Sequence, residues 1–274
     1  MAVPLKKMVR GAPPQFELRD LPMRAWGALK GALKALVSVS MIAFVIVALA
    51  LISVSYYYID RPVAQWLHKF EKTGVTAFFR LITDLGSVTV MLALPLLAAL
   101  VLGFLALTMR NSERGPALWR GAGQSFFVFC CVALPAAAGL VAKVALGRAR
   151  PRILFDGGVY GFTPFNFNYD WHSMPSGHSL AAAGFAAGLA LVLPLPMFPV
   201  IAFFGAMIAF SRVTTTAHYF GDALAGGALA IICAMVLKGA FKGMGMRKIY
   251  PTWDPNKKLR LRSISRSMMR RDDG

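Results

Sequence analysis

Six long apolar stretches run through this chain of 274 residues, and they constrain its fold more than any other feature. A helix that crosses a bilayer needs roughly 20 mostly apolar residues, and stretches of that kind indicate a membrane protein. Hydrophobic residues make up 57% of the chain and charged residues only 15%. The sequence therefore predicts an all-α, polytopic membrane protein, a bundle of six transmembrane helices. The predicted spans are about 35–57, 86–108, 122–146, 177–193, 197–212 and 219–238.

The regions on either side of the spans are basic. Residues 1–34 are predicted to form an amphipathic N-terminal leader on the membrane surface, with apolar side chains at Trp26, Leu29 and Leu33. Residues 35–238 form the six-span domain, and residues 239–274 form a basic cytoplasmic tail. The sequence leaves the oligomeric state open.

The distribution of positive charge predicts the orientation of the chain. Its net charge is +18, and 21 of the 30 Lys and Arg residues fall in the two ends and the loop 110–120. A six-span layout places those three regions on one side, which the positive-inside rule makes cytoplasmic. Charge concentrated in this way indicates membrane orientation rather than nucleic-acid binding. We therefore expect a multi-pass protein of the bacterial inner (plasma) membrane, with no nucleic-acid partner.

Three polar motifs fall where spans meet the opposite, non-cytoplasmic face. Spans three and five end there, and spans four and six begin there. The motifs are Lys143 with Arg150-Pro151, Pro175-Ser176-Gly177-His178, and Ser211-Arg212 with His218 and Asp222. The layout therefore predicts one composite site, assembled from distant parts of the chain on the periplasmic or extracytoplasmic side.

The cations and the Ser-Gly turn are suited to a phosphate. Lys143, Arg150 and Arg212 offer a point charge and two planar forks of donors. The turn at Ser176 and Gly177 offers free backbone N–H groups at a helix start. Two simpler interpretations stand beside this one. Basic side chains at helix ends often extend to lipid headgroups, which is our interpretation of Arg148 and Arg152, and a serine at that position is also an ordinary N-cap.

The two histidines of the motifs have different predicted roles. If span six begins near residue 217, the spacing places His218 and Asp222 on one helical face. A carboxylate on one ring nitrogen makes the other nitrogen a nucleophile or base. His178, beside the anion-binding turn, would act as a proton donor. The simpler alternative for Asp222 is a favourable acid in the first turn of a helix.

A metal site is a weaker hypothesis for the same residues. His172, His178, His218 and Asp222 offer zinc ligands, but Lys143, Arg150 and Arg212 would repel a cation. The sequence therefore predicts neither a metal nor a cofactor. His172 and Asp170 are interpreted mainly as loop residues, with recognition of a second phosphate or a sugar as the alternative.

The three motifs together resemble the type 2 phosphatidic acid phosphatase (PAP2) superfamily. Its pattern is Lys-x6-Arg-Pro, then Pro-Ser-Gly-His, then Ser-Arg-x5-His-x3-Asp, and this chain matches every position over about 80 residues. The resemblance implies that His218 attacks phosphorus to form a phosphohistidine, that Asp222 orients His218, and that His178 protonates the leaving oxygen. It also implies a set of groups that hold the phosphate oxygens: Lys143, Arg150, Ser176, Gly177 and Arg212.

The expected activity is removal of phosphate from a membrane lipid phosphate or diphosphate, without metal or cofactor. Candidate substrates are phosphatidylglycerophosphate, phosphatidate, undecaprenyl diphosphate and the phosphates of lipid A. Two alternatives stay open. The first is a phosphotransferase that passes the phosphoryl group to a lipid or sugar hydroxyl. The second is a non-catalytic protein that binds anionic lipids.

Overall fold

The structure is a computed structural model that describes residues 20–246 and 249–250. Over these residues the chain is helical and has no strand, which confirms the all-α prediction. Residues 1–19 of the predicted leader and 251–274 of the predicted tail lie outside the described residues. The helices are α1 (Leu21–Leu36), α2 (Val39–Val54), α3 (Asp60–His68), α4 (Gly74–Leu85), α5 (Val88–Thr108), α6 (Gly115–Leu146), α7 (Pro151–Gly157), α8 (Gly177–Val192), α9 (Phe198–Thr214) and α10 (Phe220–Gly243).

Among the described residues, five helical segments are long and apolar enough to cross a membrane. They are Val39–His68, Gly74–Thr108, Gly115–Leu146, Leu195–Thr214 and Phe220–Gly243. The predicted fourth span is the apolar helix α8, whose 16 residues extend only about 24 Å at 1.5 Å per residue. Five of the six predicted spans thus have the length and composition of a span, and α8 is a shorter apolar helix between α6, α9 and α10.

The first span differs most from its prediction. It was expected to end near residue 57, but α2 continues through a π-helical turn at Ser55–Ile59 directly into α3. Single π-helical turns inside α-helices often lie at functional sites. The turn carries the helix past the three tyrosines at 56–58. Asp60 therefore belongs to a continuous helical segment, and it is buried.

Helix α6 ends at a glycine that fixes the path of the next loop. Gly147 has a φ of +57°, in the left-handed region that closes many helices. A Cβ atom at this position would lie 1.7 Å from the carbonyl oxygen of Thr163. Only glycine meets both conditions, so the chain turns sharply here and directs Arg148 into the protein.

The amphipathic helix α1 packs against the C-terminal half of α10 through glycines. A Cβ atom at Gly31 would lie 2.0 Å from the carbonyl oxygen of Gly239, and one at Gly243 would lie 1.9 Å from that of Gly27. Small residues let helix backbones approach closely inside a membrane. The apolar side chain of Trp26 on α1 is 56% exposed, so it faces outward from this contact.

Helix α8 lies inside the bundle, where its small residues allow close packing. Ala181 and Ala182 are buried, and a Cβ atom at Gly184 would lie 2.3 Å from the carbonyl oxygen of Cys131 on α6. By contrast, large apolar side chains such as Leu100 and Phe203 are exposed on the outer helices, as expected for a surface covered by lipid.

Candidate active site

The three motifs meet at one end of the bundle, although their residues lie up to 79 positions apart in the sequence. One backbone hydrogen bond joins the second motif to the third, and another closes the third motif on itself. The N–H of Ser176 donates to the carbonyl oxygen of Asp222 at 3.0 Å, and the N–H of His218 donates to that of Arg212 at 3.2 Å. The predicted juxtaposition of the ends of α6 and α9 with the starts of α8 and α10 is therefore present.

His218 lies in the loop before α10 rather than on the helix. The helix begins at Phe220, close to the predicted start of span six at residue 219, so the condition of a start near residue 217 is not met. The imidazole is 3% exposed, and its Nδ1 atom lies 2.8 Å from the carbonyl oxygen of Ser173. Because a carbonyl oxygen only accepts hydrogen bonds, Nδ1 carries the ring proton. The Nε2 atom is consequently left with its lone pair.

Burial keeps the imidazole uncharged. It lowers the pKa of His218 to about 3, although Asp222 acts in the opposite direction. The positive charges of Arg150 and Lys143 further disfavour the imidazolium. His218 is therefore neutral at physiological pH, which is the form a nucleophile requires.

Asp222 occupies the first turn of α10 and fixes the residues on both sides of His218. Its Oδ2 atom accepts hydrogen bonds from the backbone N–H of Tyr219 at 2.9 Å and from the Ser173 hydroxyl at 2.5 Å. The same Oδ2 lies 3.6 Å from Nδ1 of His218. Asp222 was expected to accept the hydrogen bond from Nδ1 of His218, but the carbonyl of Ser173 accepts it instead. The Asp222 carboxylate acts on the ring by its charge and through its hydrogen bond with Ser173.

Arg148 contradicts its sequence-based interpretation. It was expected to extend to lipid headgroups, but it is fully buried, with its guanidinium 2.6 Å from both Asp222 and Asp60. Burial alone would lower the pKa of Arg148, yet the two carboxylates raise it above its usual value. The interpretation failed because it considered only the position of Arg148 at a helix end, whereas buried carboxylates require a cation.

Asp60, Ser173 and Arg148 are site residues that the sequence analysis missed. One signal pointed to Asp60, since an ionisable residue directly after an apolar span is rarely without a function. Nothing in the local pattern around Ser173 indicated that its carbonyl would accept the histidine proton.

The three predicted phosphate-binding cations lie around the histidines. Nζ of Lys143 and the guanidinium of Arg150 both donate to the carbonyl oxygen of His172, at 3.1 and 3.2 Å. The Arg150 guanidinium also lies 4.0 Å from the ring centre of Tyr169, and burial lowers its pKa. Nε of Arg212 is buried and has no hydrogen-bond partner among the residues that the structure describes. Cations held in this way attract an anion.

His178 lies in the first turn of α8, half-buried, and the charges of Arg212, Lys143 and Arg150 all act on it. The hydroxyl of Ser176 accepts a hydrogen bond from the Ser179 hydroxyl at 3.0 Å, and Ser176 is the N-cap of the helix. The ordinary N-cap interpretation of Ser176 therefore holds. Its phosphate-binding role stays a prediction, as does that of the Gly177 N–H, which has no acceptor within its own helix.

The loop histidine and aspartate have structural contacts. Nε2 of His172 lies 2.8 Å from the carbonyl oxygen of Asn166, and the carboxylate of Asp170 forms an ion pair with Arg152. Both contacts favour the interpretation as loop residues.

With this geometry established, comparison with known proteins identifies the region. Residues 124–243 match the family model of the PAP2 superfamily. The match covers less than half of the chain. The match begins in α6, ends with α10 and includes every residue that the motifs contribute. The resemblance inferred from those motifs is thereby confirmed.

Two relatives and one solved structure are also similar to this chain. The chain is 36% identical over 108 residues to a lipid A 1-phosphatase of Rhizobium etli, covering 39% of this chain and 44% of the relative. It is 32% identical over 128 residues to a lipid A 1-phosphatase of Rhizobium johnstonii, covering 47% and 50%. The chain thus spans about half the length of these curated relatives. A transmembrane PAP2 type phosphatidylglycerolphosphate phosphatase from Bacillus subtilis shares the fold, with a TM-score of 0.50 and 19% identity over 72% of this chain and 94% of that one.

Proposed function

We propose that this chain is a metal-independent phosphatase that removes phosphate from a membrane lipid phosphate through a phosphohistidine on His218. The observation that carries the proposal is the hydrogen bond from Nδ1 of His218 to the carbonyl of Ser173. It leaves Nε2 unprotonated, on a buried neutral ring within reach of the charges of Lys143 and Arg150. A headgroup-binding protein without catalytic activity has no need of such a nucleophile.

The reaction proceeds in two displacements. In the first, Nε2 of His218 attacks phosphorus and the bond from phosphorus to the lipid oxygen breaks. Burial and the nearby cations lower the pKa of His178 to about 4, so His178 takes up a proton as the anionic substrate binds and gives it to the lipid oxygen. The ring becomes positively charged as the bond forms, and Asp222, at 3.6 Å, stabilises this charge. In the second, His178 takes a proton from water, whose oxygen attacks phosphorus and breaks the bond to Nε2. Inorganic phosphate leaves and both histidines regain their starting forms.

The cations and the helix start stabilise the charge on the transferring group. We assign this role to Lys143, Arg150, Arg212, Ser176 and the N–H of Gly177, around the three non-bridging oxygens. The unpartnered Nε of Arg212 supports the assignment, because a buried donor without an acceptor is costly unless a ligand supplies one.

The 1-phosphate of lipid A is the first substrate to test, since the two relatives carry that activity in their names. Phosphatidylglycerophosphate, phosphatidate and undecaprenyl diphosphate complete the panel. Purified full-length protein in mixed micelles should release inorganic phosphate from one of them, and the His218→Asn variant should not. If the phosphate of the substrate is labelled and the label appears only on a second lipid, the protein is a phosphotransferase. Turnover of no lipid in the panel would contradict the enzymatic proposal.

We further propose that the site faces the extracytoplasmic side of a bacterial inner membrane. The positive-inside distribution of Lys and Arg supports this orientation. Phe167, in the loop between α7 and α8, is 83% exposed and offers a labelling position. A Phe167→Cys variant should react with a membrane-impermeant maleimide in intact spheroplasts, and wild-type protein, with Cys130, Cys131 and Cys233, is the control. Labelling only after lysis would show the opposite orientation, with the site on the cytoplasmic side.

A further inference from the structure

A buried ion triad links the candidate active site to the first membrane span. Arg148 donates through one guanidinium nitrogen to Oδ1 of Asp222 and through another to Oδ2 of Asp60, both at 2.6 Å. All three side chains are at most 1% exposed. They come from the start of α3, the loop after α6 and the first turn of α10. The triad holds two negative charges and one positive charge.

Aromatic rings and one hydroxyl fix the guanidinium of Arg148 within the triad. Its central carbon lies 4.6 Å from the ring centre of Tyr219 and 5.1 Å from that of Tyr56. The hydroxyl of Tyr160 accepts a hydrogen bond from it at 3.1 Å. Burial raises the pKa of Tyr160 to about 12, so this hydroxyl remains neutral. In such surroundings the charge of Arg148 is poorly screened and acts strongly on both carboxylates.

The remaining carboxylate oxygens reach the residues that hold His218. Oδ1 of Asp60 accepts from the N–H of Gly221 and from the Ser55 hydroxyl, both at 2.7 Å. A Cβ atom at Gly221 would lie 2.8 Å from Oδ2 of Asp60, so a glycine is needed for this approach. Asp222 in turn holds Ser173, whose carbonyl accepts the proton on Nδ1 of His218.

We propose that Arg148 and Asp60 are positioning residues that set how strongly Asp222 attracts a proton to His218. Arg148 offsets part of the Asp222 charge, and Asp60 offsets part of the Arg148 charge. The inference rests on the proposed function, in which His218 must be neutral to attack phosphorus and must be stabilised as a cation afterwards. An Asp222 carboxylate whose charge is partly offset allows His218 to be neutral before the attack and stabilises it as a cation afterwards.

The triad is one of several charged groups near His218. Lys143 from α6, Arg150 at the start of α7 and Asp222 from α10 all act on the ring. His178 of α8 and Arg212 of α9 complete the site, and the backbone carbonyl of Arg212 accepts the N–H of His218. These groups are common to all the variants below, so differences between variants report the triad.

The two charge-removing variants are expected to act in opposite directions. Arg148→Gln leaves Asp222 and Asp60 without their cation, so His218 binds a proton more readily and loses activity at a higher pH. Asp60→Asn leaves the whole charge of Arg148 to Asp222, so His218 resists protonation to a lower pH. A purely structural role would weaken both variants without moving their pH profiles apart.

The experiment measures kcat/KM against pH for full-length wild-type protein and both variants, with short-chain phosphatidate in micelles. The acid limb is the pH below which kcat/KM falls. It should lie at a higher pH in Arg148→Gln and at a lower pH in Asp60→Asn than in wild-type protein, each by about half a pH unit or more. Limbs that stay together or move in the same direction overturn the inference. Arg152→Gln, which removes an exposed arginine paired with Asp170, is the matched control and should keep the wild-type limb.

A second readout separates this inference from the proposed function. Orthovanadate binding, followed as the rise in Tm at each pH, also requires a neutral His218 and needs no turnover. If wild-type protein hydrolyses no lipid, the proposed function fails, and the order of the vanadate limbs still decides the inference. If neither charge-removing variant folds, Arg148→Lys decides: the wild-type limb is expected, and a shifted limb or an unfolded protein overturns the inference.

Discussion

The backbone carbonyl of Ser173 accepts the Nδ1 proton of His218 at 2.8 Å, in the place where a carboxylate was expected. A neutral acceptor fixes the tautomer without holding a full negative charge against the ring. Asp222, 3.6 Å from the same nitrogen, still provides that charge when the ring becomes cationic. The arrangement separates orientation of the imidazole from stabilisation of its charged form.

Replacing the proposed nucleophile should abolish turnover without unfolding the protein. His218→Asn is expected to lower kcat by about 10⁴-fold or more, the order of loss seen when a covalent nucleophile is removed. Phosphate release from the best substrate of the lipid panel measures it. His68→Ala is the control of the same residue type, since His68 contacts Glu71 and stacks on Phe155. Comparable activity of His218→Asn and wild-type protein would contradict the mechanism.

The stability contributed by His218 should depend on pH. Its folded pKa, about 3, lies below the ordinary value near 6.5. The unfolded chain therefore binds the proton first, and folding stability falls as the pH drops below about 6.5. Relative to His218→Asn, wild-type protein should lose about 1 kcal/mol or more between pH 6.5 and pH 5. Thermal unfolding of both proteins across this range gives the difference. A difference that is constant with pH would argue against a buried neutral ring.

An anion should stabilise the cationic site. Arg212 has a buried, unpartnered Nε, so orthovanadate or phosphate supplies an acceptor and should raise Tm with concentration. Arg212→Gln should abolish most of this rise and lower kcat/KM by roughly 10²–10³-fold, while Tm without the anion stays unchanged or increases. Arg80→Gln, which removes an exposed arginine of α4, is the control and should respond to vanadate as wild-type protein does. An equal response of both variants would place the anion elsewhere.

Contact between α1 and α10 should depend on glycine. Gly31→Ala places a methyl group 2.0 Å from the carbonyl oxygen of Gly239, and overpacking of this kind costs about 1–3 kcal/mol. Gly103→Ala meets nothing within 4 Å and should be neutral or stabilising, because alanine favours a helix. Thermal unfolding in one detergent compares the two. Equal Tm values would show that α1 does not pack on α10 as described.

The convergence of the motifs could be predicted because helix ends are set by apolar length and membrane side alone. Counting spans from the sequence was sufficient to bring Lys143, His178 and His218 to one face. The site's hydrogen bonds could not be derived in that way. Arg148 and Asp60 are 88 residues apart, and no local pattern records that one neutralises the other. The partner of His218 depends on the path of the loop that carries Ser173.

The helix start at Phe220 shows how a correct motif can accompany a wrong local structure. The four-residue spacing of His218 and Asp222 suggested a shared helical face. In the structure, Asp222 instead accepts the N–H of Tyr219 and caps the start of the helix there, leaving His218 in the preceding loop. Spacing placed the two side chains near each other, but capping decided how they meet.

The burial of Asp60 changes where the functional unit begins. The PAP2 match covers residues 124–243, yet Asp60 completes the charge balance at its centre from the first membrane span. A fragment or chimera cut at the edge of the match would leave Arg148 facing one carboxylate instead of two. Grafting this site onto another scaffold therefore requires the helix that carries Asp60, in register with α10.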